Sequence, residues 1–399
     1  TATLDPEKVI ALITSDGGPQ AHTAILARGL GLPAIVAAKG VTDIADGTIV
    51  YVDSNEGIVD TEPTDADREA AIKYANRKPV ADFDGKGVLA DGTRVELYAN
   101  VGDGKSAEKA ASLKAEGVGL LRTEFGFLGH DAEPSIETQA KTYKSVFDAF
   151  PGKHIVVRTL DAGADKPLPF LNVNPEENPA LGVRGFRTDW TVPGVLTRQL
   201  QAIKAASEDS DADIWVMAPM ISTTSEARNF ANMLKEIGLP VHGVMVETPA
   251  AVMNAEAILG EVDFVSIGTN DLTQYTMAAD RLLGDLAHLN NPWQPAVLKM
   301  IKMTVEGAQR ASVTAGKKKY VSVCGEAAAD PALAVVLIGL GVDTLSMNAG
   351  AIPAVAAVLK SVTKEKAQQI AAIALQQISS AEAKESARKA LPILDELGL

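Results

Sequence analysis

The chain has 399 residues, a formal net charge of −14 at pH 7 and a 46% share of hydrophobic residues. This length and hydrophobic share allow two or three domains and exclude a disordered chain, while the acidic balance argues against general binding to nucleic acid or anionic membranes. The sequence contains one cysteine, so it forms no internal disulfide and leads us to expect a cytoplasmic protein.

Residues 1–61 are predicted to form a small α/β unit with a histidine at the start of a helix. Apolar runs at 9–13, 34–36 and 48–52 indicate strands. His22 follows a glycine pair and precedes apolar positions at helical spacing. Helix N-termini favour bound anions, and neutral imidazole is a nucleophile. His22 is therefore a candidate phosphoryl acceptor, and a capping or packed histidine is the structural alternative.

Residues 62–84 differ from their neighbours because they are charged, favour a helix and lack an apolar stripe. A helix that is polar on most sides often bridges two domains. We therefore predict a linker helix, with an ordinary surface helix as the alternative.

Residues 85–399 contain eight apolar runs rich in β-branched side chains. The runs are 95–99, 118–121, 155–157, 214–218, 243–246, 264–269, 321–323 and 344–347. Most are separated by stretches long enough for a helix, as in a parallel sheet buried on both faces. Eight such units over roughly 270 residues favour a (β/α)8 TIM barrel over an open doubly wound sheet. The Ala-, Gln-, Lys- and Glu-rich remainder after about residue 363 is predicted to be helical.

Two of the runs end at arginine, at the strand ends where a TIM barrel has its active site. Arg122 and Arg158 follow two runs directly, and Arg184 follows a long loop containing Gly, Pro and Asn. Guanidinium groups bind phosphate and carboxylate through paired hydrogen bonds. The alternative for Arg122 and Arg158 is structural ion pairing with Glu124 and Asp161.

Two carboxylates and a thiol follow other runs. Glu247 and Asp271 end neighbouring strands and could hold Mg²⁺, or could form plain salt bridges. Cys324 is a candidate acid or nucleophile, and otherwise a small buried hydrophobe. Phosphoenolpyruvate suits this set of residues, because loss of its phosphoryl group leaves an enolate that needs a proton on carbon.

Ordered motifs along the chain carry a resemblance to one family. They are GGPQAHTAILAR at 17–28, LRTEF at 121–125, VRTLD at 157–161, LGVR at 181–184, GVMVETPAA at 243–251, SIGTNDLTQY at 266–275, DR at 280–281 and CGE at 324–326. With these motifs, essentially the whole chain closely resembles enzyme I of the bacterial phosphoenolpyruvate:sugar phosphotransferase system.

The resemblance implies a role for each matching residue. His22 would be phosphorylated, Glu247 and Asp271 would bind Mg²⁺, and Cys324 would protonate the enolate to give pyruvate. The implied contacts to substrate phosphate or carboxylate are Arg122, Arg158, Arg184, Asn270 and Arg281. The implied partners are a histidine phosphocarrier protein (HPr) and a second copy of the chain, bound through the barrel.

Two departures from the family pattern stand out. Pro19-Gln20-Ala21 replaces the Arg-Thr-Ser type of run often found before the histidine. Family members also carry an N-terminal part that docks HPr, so we expect a fragment with a partial phosphohistidine domain at 1–61. Two other functions therefore stay open: a phosphoenolpyruvate- or pyruvate-binding barrel without transfer activity, and a Mg²⁺-dependent enolate lyase or aldolase.

Overall fold

The computed structural model describes residues 8–16, 32–54, 57–75, 80–162, 168–171 and 175–399. These residues form two compact units. The first unit contains the described residues up to Val80 with Met277–Asn291 and Pro392–Leu399, and the second contains those of Ala81–Thr276 and Pro292–Leu391. Across these ranges, no helix is both long and apolar enough to cross a membrane.

The first unit contains two small pairs of strands. β1 (Leu12–Ile13) pairs in parallel with β2 (Ala34–Ile35), and β3 (Tyr51–Asp53) pairs antiparallel with β4 (Ile58–Asp60). Strands therefore occur at all three positions predicted for this unit. β4 was missed because its apolar run is only two residues long. The predicted helix after His22 lies outside the described residues.

The helix predicted within residues 62–84 is present as α1 (Asp65–Ala75), which belongs to the first unit, and its role as a linker stays a prediction. Its start is fixed by Asp67, whose carboxylate accepts hydrogen bonds from the backbone N–H (2.8 Å) and hydroxyl (2.6 Å) of Thr64. Acidic residues in the first turn also suit the positive end of the helix dipole.

Eight parallel strands of the second unit close into a barrel, which confirms the predicted fold class. The strands are β5 (Glu96–Val101), β6 (Gly117–Arg122), β7 (His154–Arg158), β8 (Asp213–Ala218), β9 (His242–Val246), β10 (Phe264–Gly268), β11 (Tyr320–Cys324) and β12 (Thr344–Met347). They follow one another around the barrel, and β12 pairs with β5 through Leu345 and Leu97. This last pairing excludes the open sheet.

Helices alternate with these strands and continue after them. They are α2 (Gly104–Ser112), α3 (Ile136–Phe147), α4 (Val195–Glu208), α5 (Thr224–Ile237), α6 (Pro249–Met253), α7 (Ala255–Glu261), α8 (Thr269–Met277), α9 (Pro295–Ala315), α10 (Glu326–Ala329), α11 (Pro331–Gly339), α12 (Ile352–Leu359), α13 (Lys364–Leu375), α14 (Ser380–Lys389) and α15 (Ile393–Leu397). The prediction of helices after residue 363 is therefore confirmed.

The helix ends are specified locally. α2 and α5 begin with capping boxes formed by Asp103 with Ser106 and by Thr223 with Glu226. α5 ends at Gly238, whose φ of 86° gives the left-handed cap that glycine adopts without strain.

An apolar cluster fills the middle of the barrel. Its buried members are Leu120, Val156, Met217, Met245, Phe264 and Cys324. They come from six different strands, so the barrel is a packed core and not a channel. This packing leaves the two ends of the barrel as the places where a ligand can enter.

Candidate active site

The carboxyl ends of the barrel strands bring most of the predicted site residues to one face. β6 and β7 end at Arg122 and Arg158, which are opposite each other in the register of the two strands. β11 ends at Cys324, and Glu247 follows β9 directly. Parallel strands in a closed barrel all point the same way, so these residues share the end where TIM barrels carry their chemistry.

Buried arginines and carboxylates form one connected network at this end. The Nη2 atom of Arg158 lies 2.9 Å from Oε1 of Glu124, and its Nη1 atom lies 3.2 Å from Oδ2 of Asp161. Arg184 binds Asp161 through two hydrogen bonds of 3.0 and 2.8 Å, and donates to Oδ1 of Asp271 at 2.8 Å. The ion-pair alternative is therefore present for Arg158, and it extends to Arg184.

These pairs keep both guanidinium groups charged despite their burial. Burial lowers the pKa of Arg158, but Glu124 and Asp161 raise it more, so the net shift is upward. The pKa of Arg184 rises in the same way, against burial and through Asp161 and Asp271. Both arginines therefore stay charged, and a guanidinium group can bind a phosphate or carboxylate oxygen in addition to its carboxylate partners.

Glu247 is the most buried carboxyl group of the site. Its Oε1 atom accepts a 2.7 Å hydrogen bond from the backbone N–H of Met220, while Oε2 has no hydrogen-bond partner among the described residues. Burial raises its pKa to about 8, and the negative charges of Asp271 and Asp161 add to that shift. Burial and the neighbouring carboxylates therefore favour the protonated form of this carboxyl group when no cation is bound.

The residue that donates this hydrogen bond to Glu247, Met220, has an unusual backbone conformation. Met220 has a φ of 59°, which is uncommon for a residue with a side chain. Gly185, also at a φ of 59°, is so close that an added Cβ would lie 3.0 Å from the Met220 side chain. Strained backbone of this kind persists where surrounding structure fixes it, often at functional sites.

Glu247 and Asp271 fit a magnesium site of the kind that keeps water ligands. The described ranges contain no cluster of three or more His, Cys, Asp or Glu side chains that could hold a metal by themselves. Mg²⁺ commonly uses one or two carboxylates and takes its other oxygens from water and substrate phosphate. The unpartnered Oε2 of Glu247 could supply one such ligand, and Asp271 could supply the second carboxylate.

Arg122 and Asn270 border this network and are less buried. Within the described part of the chain, no ion pair connects Arg122 to a carboxylate. Asn270 lies in the first turn of α8, and its amide is within 4 Å of the Cβ that a side chain at Gly325 would carry. Both groups therefore lie beside the network with polar atoms that a substrate anion could use.

Cys324 is buried at the end of β11, with its Sγ atom 3.6 Å from the carbonyl oxygen of Ile267. Burial raises the pKa of the thiol, so it stays protonated at neutral pH. A protonated thiol can act as an acid. Cys324 also belongs to the apolar cluster, which is consistent with the alternative that it is a small buried hydrophobic residue.

Comparison with known proteins connects this barrel end to a family. Residues 80–364 match the model for the PEP-binding domain of PEP-utilising enzymes, and residues 1–57 match the model for their mobile domain. A phosphoenolpyruvate-protein phosphotransferase from Streptomyces coelicolor is 46% identical over 395 residues, covering 98% of this chain and 70% of the relative. The chain belongs to the phosphoenolpyruvate-protein phosphotransferase family.

Other proteins also align with most of the chain. A phosphoenolpyruvate-protein phosphotransferase from Haloferax volcanii is 40% identical, covering 96% of this chain and 69% of the relative. A multiphosphoryl transfer protein from Xanthomonas campestris is 40% identical, covering 94% of this chain and 46% of the relative. A solved citrate lyase from Burkholderia xenovorans aligns at 16% identity and a TM-score of 0.43, covering 76% of this chain and 92% of that one.

Two residues to which the family resemblance gives a role, His22 and Arg281, are not among the site residues described above. His22 lies outside the described residues, so its role stays a prediction. Arg281 lies in Met277–Asn291, which belongs to the first compact unit, and its contact with substrate likewise stays a prediction.

Sequence reasoning missed a buried glutamine that supports the network. Gln199 in α4 accepts a 2.8 Å hydrogen bond from the backbone N–H of Leu160, and donates to the hydroxyls of Thr123 (3.0 Å) and Tyr143 (3.1 Å). Thr123 in turn donates to the carbonyl oxygen of Arg158 at 2.9 Å. An amide on the apolar face of an amphipathic helix was the signal that could have identified it.

Proposed function

We propose that the protein transfers the phosphoryl group of phosphoenolpyruvate to His22 and then to HPr, releasing pyruvate as the first step of sugar uptake by the phosphotransferase system. The observation that carries this proposal is the buried network of Arg158 and Arg184 with Glu247 and Asp271 at the barrel end. Family membership supports the substrate, and the network supplies charges of both signs in the place where that substrate would need them.

Arginines would bind and orient phosphoenolpyruvate. Arg158 and Arg184 are held by carboxylates and are therefore preorganised, so little ordering is needed when the anion arrives. Arg122, Asn270 and Arg281 would complete the contacts to phosphate and carboxylate oxygens. Charge that develops on the transferring group would be stabilised electrostatically in this desolvated site.

Phosphoryl transfer would proceed by attack of a His22 ring nitrogen on phosphorus. The new N–P bond forms as the bond between phosphorus and the enol oxygen breaks, and the electron pair remains on the enolate. Cys324 would then donate its thiol proton to the terminal carbon of the enolate and give pyruvate. Burial keeps that proton on sulfur until it is needed.

Glu247 and Asp271 would hold Mg²⁺. When bound, the ion would neutralise charge on the substrate oxygens. Glu247 would lose its proton to serve as a ligand, because a coordinating carboxyl group binds in its ionised form.

We further propose a domain organisation and a place of action. Residues 1–61 would be part of the phosphohistidine domain, 62–84 the linker, and 85–399 the phosphoenolpyruvate-binding and dimerisation domain. The mobile-domain match at residues 1–57 supports the first assignment. The protein would act in the cytoplasm as a homodimer formed through the barrel, which sedimentation over a range of protein concentrations can test.

Labelling with phosphoenolpyruvate tests the transfer reaction. The protein is incubated with phosphoenolpyruvate labelled on phosphorus and Mg²⁺, and acid-labile phosphate on the chain is measured. We expect label on the wild type and on a control, His130→Ala, which changes an exposed histidine. We expect none on His22→Ala. Addition of HPr should then move the label to that protein.

Two results would contradict the proposal. Label that persists on His22→Ala would assign the acceptor to another residue. No label on the wild type, with phosphoenolpyruvate still bound in a dialysis assay, would indicate a binding barrel without transfer activity.

A further inference from the structure

A cavity opens at the amino ends of the barrel strands, the end opposite the candidate active site. It has a volume of about 240 Å³. Its lining includes the first residues of six strands: Glu96, His154, Asp213, Phe264, Tyr320 and Thr344. This volume admits a small molecule and is slightly below the roughly 300–1,000 Å³ of drug-sized sites.

Aromatic rings form a continuous wall of this cavity. The ring of Trp215 lies 4.1 Å from that of His154, 5.0 Å from Phe264 and 6.0 Å from Tyr320, measured between centroids. His154 also contacts Tyr98, at 5.3 Å. The faces of aromatic rings carry negative electrostatic potential, and several rings together attract a cation.

Glycines on neighbouring strands lie close to two of these rings. A Cβ added to Gly243 would lie 2.4 Å from the ring of Phe264, so only glycine allows the ring its position. A Cβ added to Gly119, which lines the cavity, would lie 2.5 Å from Cβ of Ser346 and 3.1 Å from Cβ of Tyr98.

Carboxyl groups add negative charge to the aromatic wall. The Oε2 atom of Glu96 accepts a 2.8 Å hydrogen bond from the Tyr98 hydroxyl, and Oδ2 of Asp213 lies 3.2 Å from Nδ1 of His154. The hydrogen bond with His154 lowers the pKa of Asp213, which is therefore ionised at neutral pH.

One aromatic ring of the cavity, that of Tyr320, already contacts a cation. The Nζ atom of Lys318 lies 4.8 Å from the centre of the Tyr320 ring and 2.7 Å from Oδ1 of Asp343. Tyr320 is 43% exposed, so its ring can be reached from solvent.

The cavity is separate from the candidate active site. Tyr320 and Cys324 are four positions apart on β11, which corresponds to about 13 Å along a strand. Buried Met217 and Met245, which do not line the cavity, pack in the barrel core. A ligand in the cavity would therefore not compete directly with substrate.

We propose that this cavity, the amino-end aromatic cup, binds a small organic cation with a methylated ammonium group. A primary ammonium group carries three N–H donors and needs as many acceptors. In the cup, Oε2 of Glu96 and Oδ2 of Asp213 are each paired, with the Tyr98 hydroxyl and Nδ1 of His154, and the neighbouring rings of Trp215 and Phe264 offer no lone-pair acceptor. A methylated ammonium makes no such demand and gains from ring faces and nearby negative charge.

Competition dialysis with radiolabelled choline tests the proposal on the complete chain. Choline should bind saturably, and tetramethylammonium should displace it. Dimethylbutanol, the neutral carbon isostere of choline, should bind about tenfold more weakly because it lacks the charge. Saturating phosphoenolpyruvate should leave choline binding unchanged, since the cup lies at the other end of the barrel.

Matched variants identify the site. Tyr320→Leu should weaken choline binding about fivefold or more, whereas Tyr74→Leu, at a comparably exposed tyrosine outside the cup, should not. Asp213→Asn should weaken binding, whereas Asp211→Asn, an exposed carboxylate that does not line the cup, should not. Thermal unfolding of each variant verifies that it is folded.

Three results would overturn the proposal. The first is no saturable choline binding by the folded wild type. The second is equal affinity for choline and dimethylbutanol, which would indicate an apolar cavity. The third is binding that Tyr320→Leu and Asp213→Asn leave intact, or that phosphoenolpyruvate displaces, which would place choline elsewhere.

Discussion

At the carboxyl end of the barrel strands, Arg158 and Arg184 are paired with buried carboxylates, whereas at the amino end aromatic rings surround the more exposed Glu96 and Asp213. The same eight strands build both ends. Moving a charged group out of water costs free energy. At the carboxyl end this cost is offset because each buried charge is paired with one of opposite sign, and a substrate could contact the same groups. At the amino end the charged side chains stay exposed to solvent, and aromatic rings line a cavity beside them.

Two carboxyl groups, one at each end of the barrel, have pKa values shifted in opposite directions. Glu247 is buried with one unpartnered oxygen, and its pKa is raised to about 8. Asp263, just before β10 at the amino end, has its pKa held well below the usual value. Burial acts upward in both cases, but at Asp263 hydrogen bonds from His242 and Lys317 outweigh it. Available partners, and not burial alone, decide the sign of the shift.

The largest effect is expected when a buried arginine is removed. Arg184→Leu leaves Asp161 and Asp271 without their shared cation, and such a loss costs about 3–5 kcal/mol of unfolding free energy. Phosphoenolpyruvate turnover should be lost as well. Urea unfolding and pyruvate release measure the two effects.

An exposed ion pair supplies the control for Arg184. Arg310 lies 2.6 Å from Glu256, but both side chains are at least half exposed. Arg310→Leu should therefore change stability by less than about 1 kcal/mol and leave turnover intact. If Arg184→Leu and Arg310→Leu lowered the free energy of unfolding equally, the burial of the Arg184 ion pairs would have no special effect on stability.

Replacing the thiol should affect chemistry without affecting binding. Cys324→Ala should slow pyruvate release about 100- to 10,000-fold, the range for loss of a general acid, because the enolate would lack its proton donor. Phosphoenolpyruvate affinity should change little. Ser322→Ala, two positions earlier on β11 and in the amino-end cup, is the control and should turn over normally. Normal pyruvate release by Cys324→Ala would leave the thiol as a packing residue only.

The barrel was predictable because its strands are apolar on both faces. All eight predicted runs became strands, and the polar residues after them share one end, as parallel direction requires. The pairing inside the site was not predictable. That Arg184 would bind both Asp161 and Asp271 depends on a long loop returning to the barrel end, which no local pattern specifies.

Two other features, the backbone at Met220 and the amino-end cup, were not predictable from the sequence for similar reasons. The positive φ of Met220 reflects a backbone forced by its neighbours, and the Pro-Met sequence carries no signal for it. The amino-end cup is assembled from single aromatic residues on five strands, so each looks like ordinary strand packing until closure brings them together. Sequence patterns thus identified elements and their ends, while contacts between distant elements needed the structure.

A smaller effect is expected from the amide that supports the network. Gln199→Leu leaves the buried N–H of Leu160 without an acceptor, which should cost about 1–3 kcal/mol of unfolding free energy. Turnover should fall moderately, because β7 would hold Arg158 less firmly. Gln309→Leu, at an exposed position of α9, is the control and should lie within about 0.5 kcal/mol of the wild type. Wild-type turnover in Gln199→Leu would remove its positioning role.

The smallest effect concerns acid stability at the amino end. Oδ1 of Asp263 lies 2.6 Å from Nζ of Lys317, and Oδ2 lies 3.0 Å from Nδ1 of His242. Because the folded state lowers its pKa, Asp263 stabilises the protein above the unfolded-state pKa of about 3.9, and this contribution is lost as pH falls further. Asp263→Asn should therefore be less stable than the wild type near neutral pH, and the difference should narrow in acid. Urea unfolding between about pH 3 and 7 measures it, with Asp148→Asn at an exposed helix end as the control. A difference that stays constant with pH would mean that Asp263 acts through packing and not through its charge.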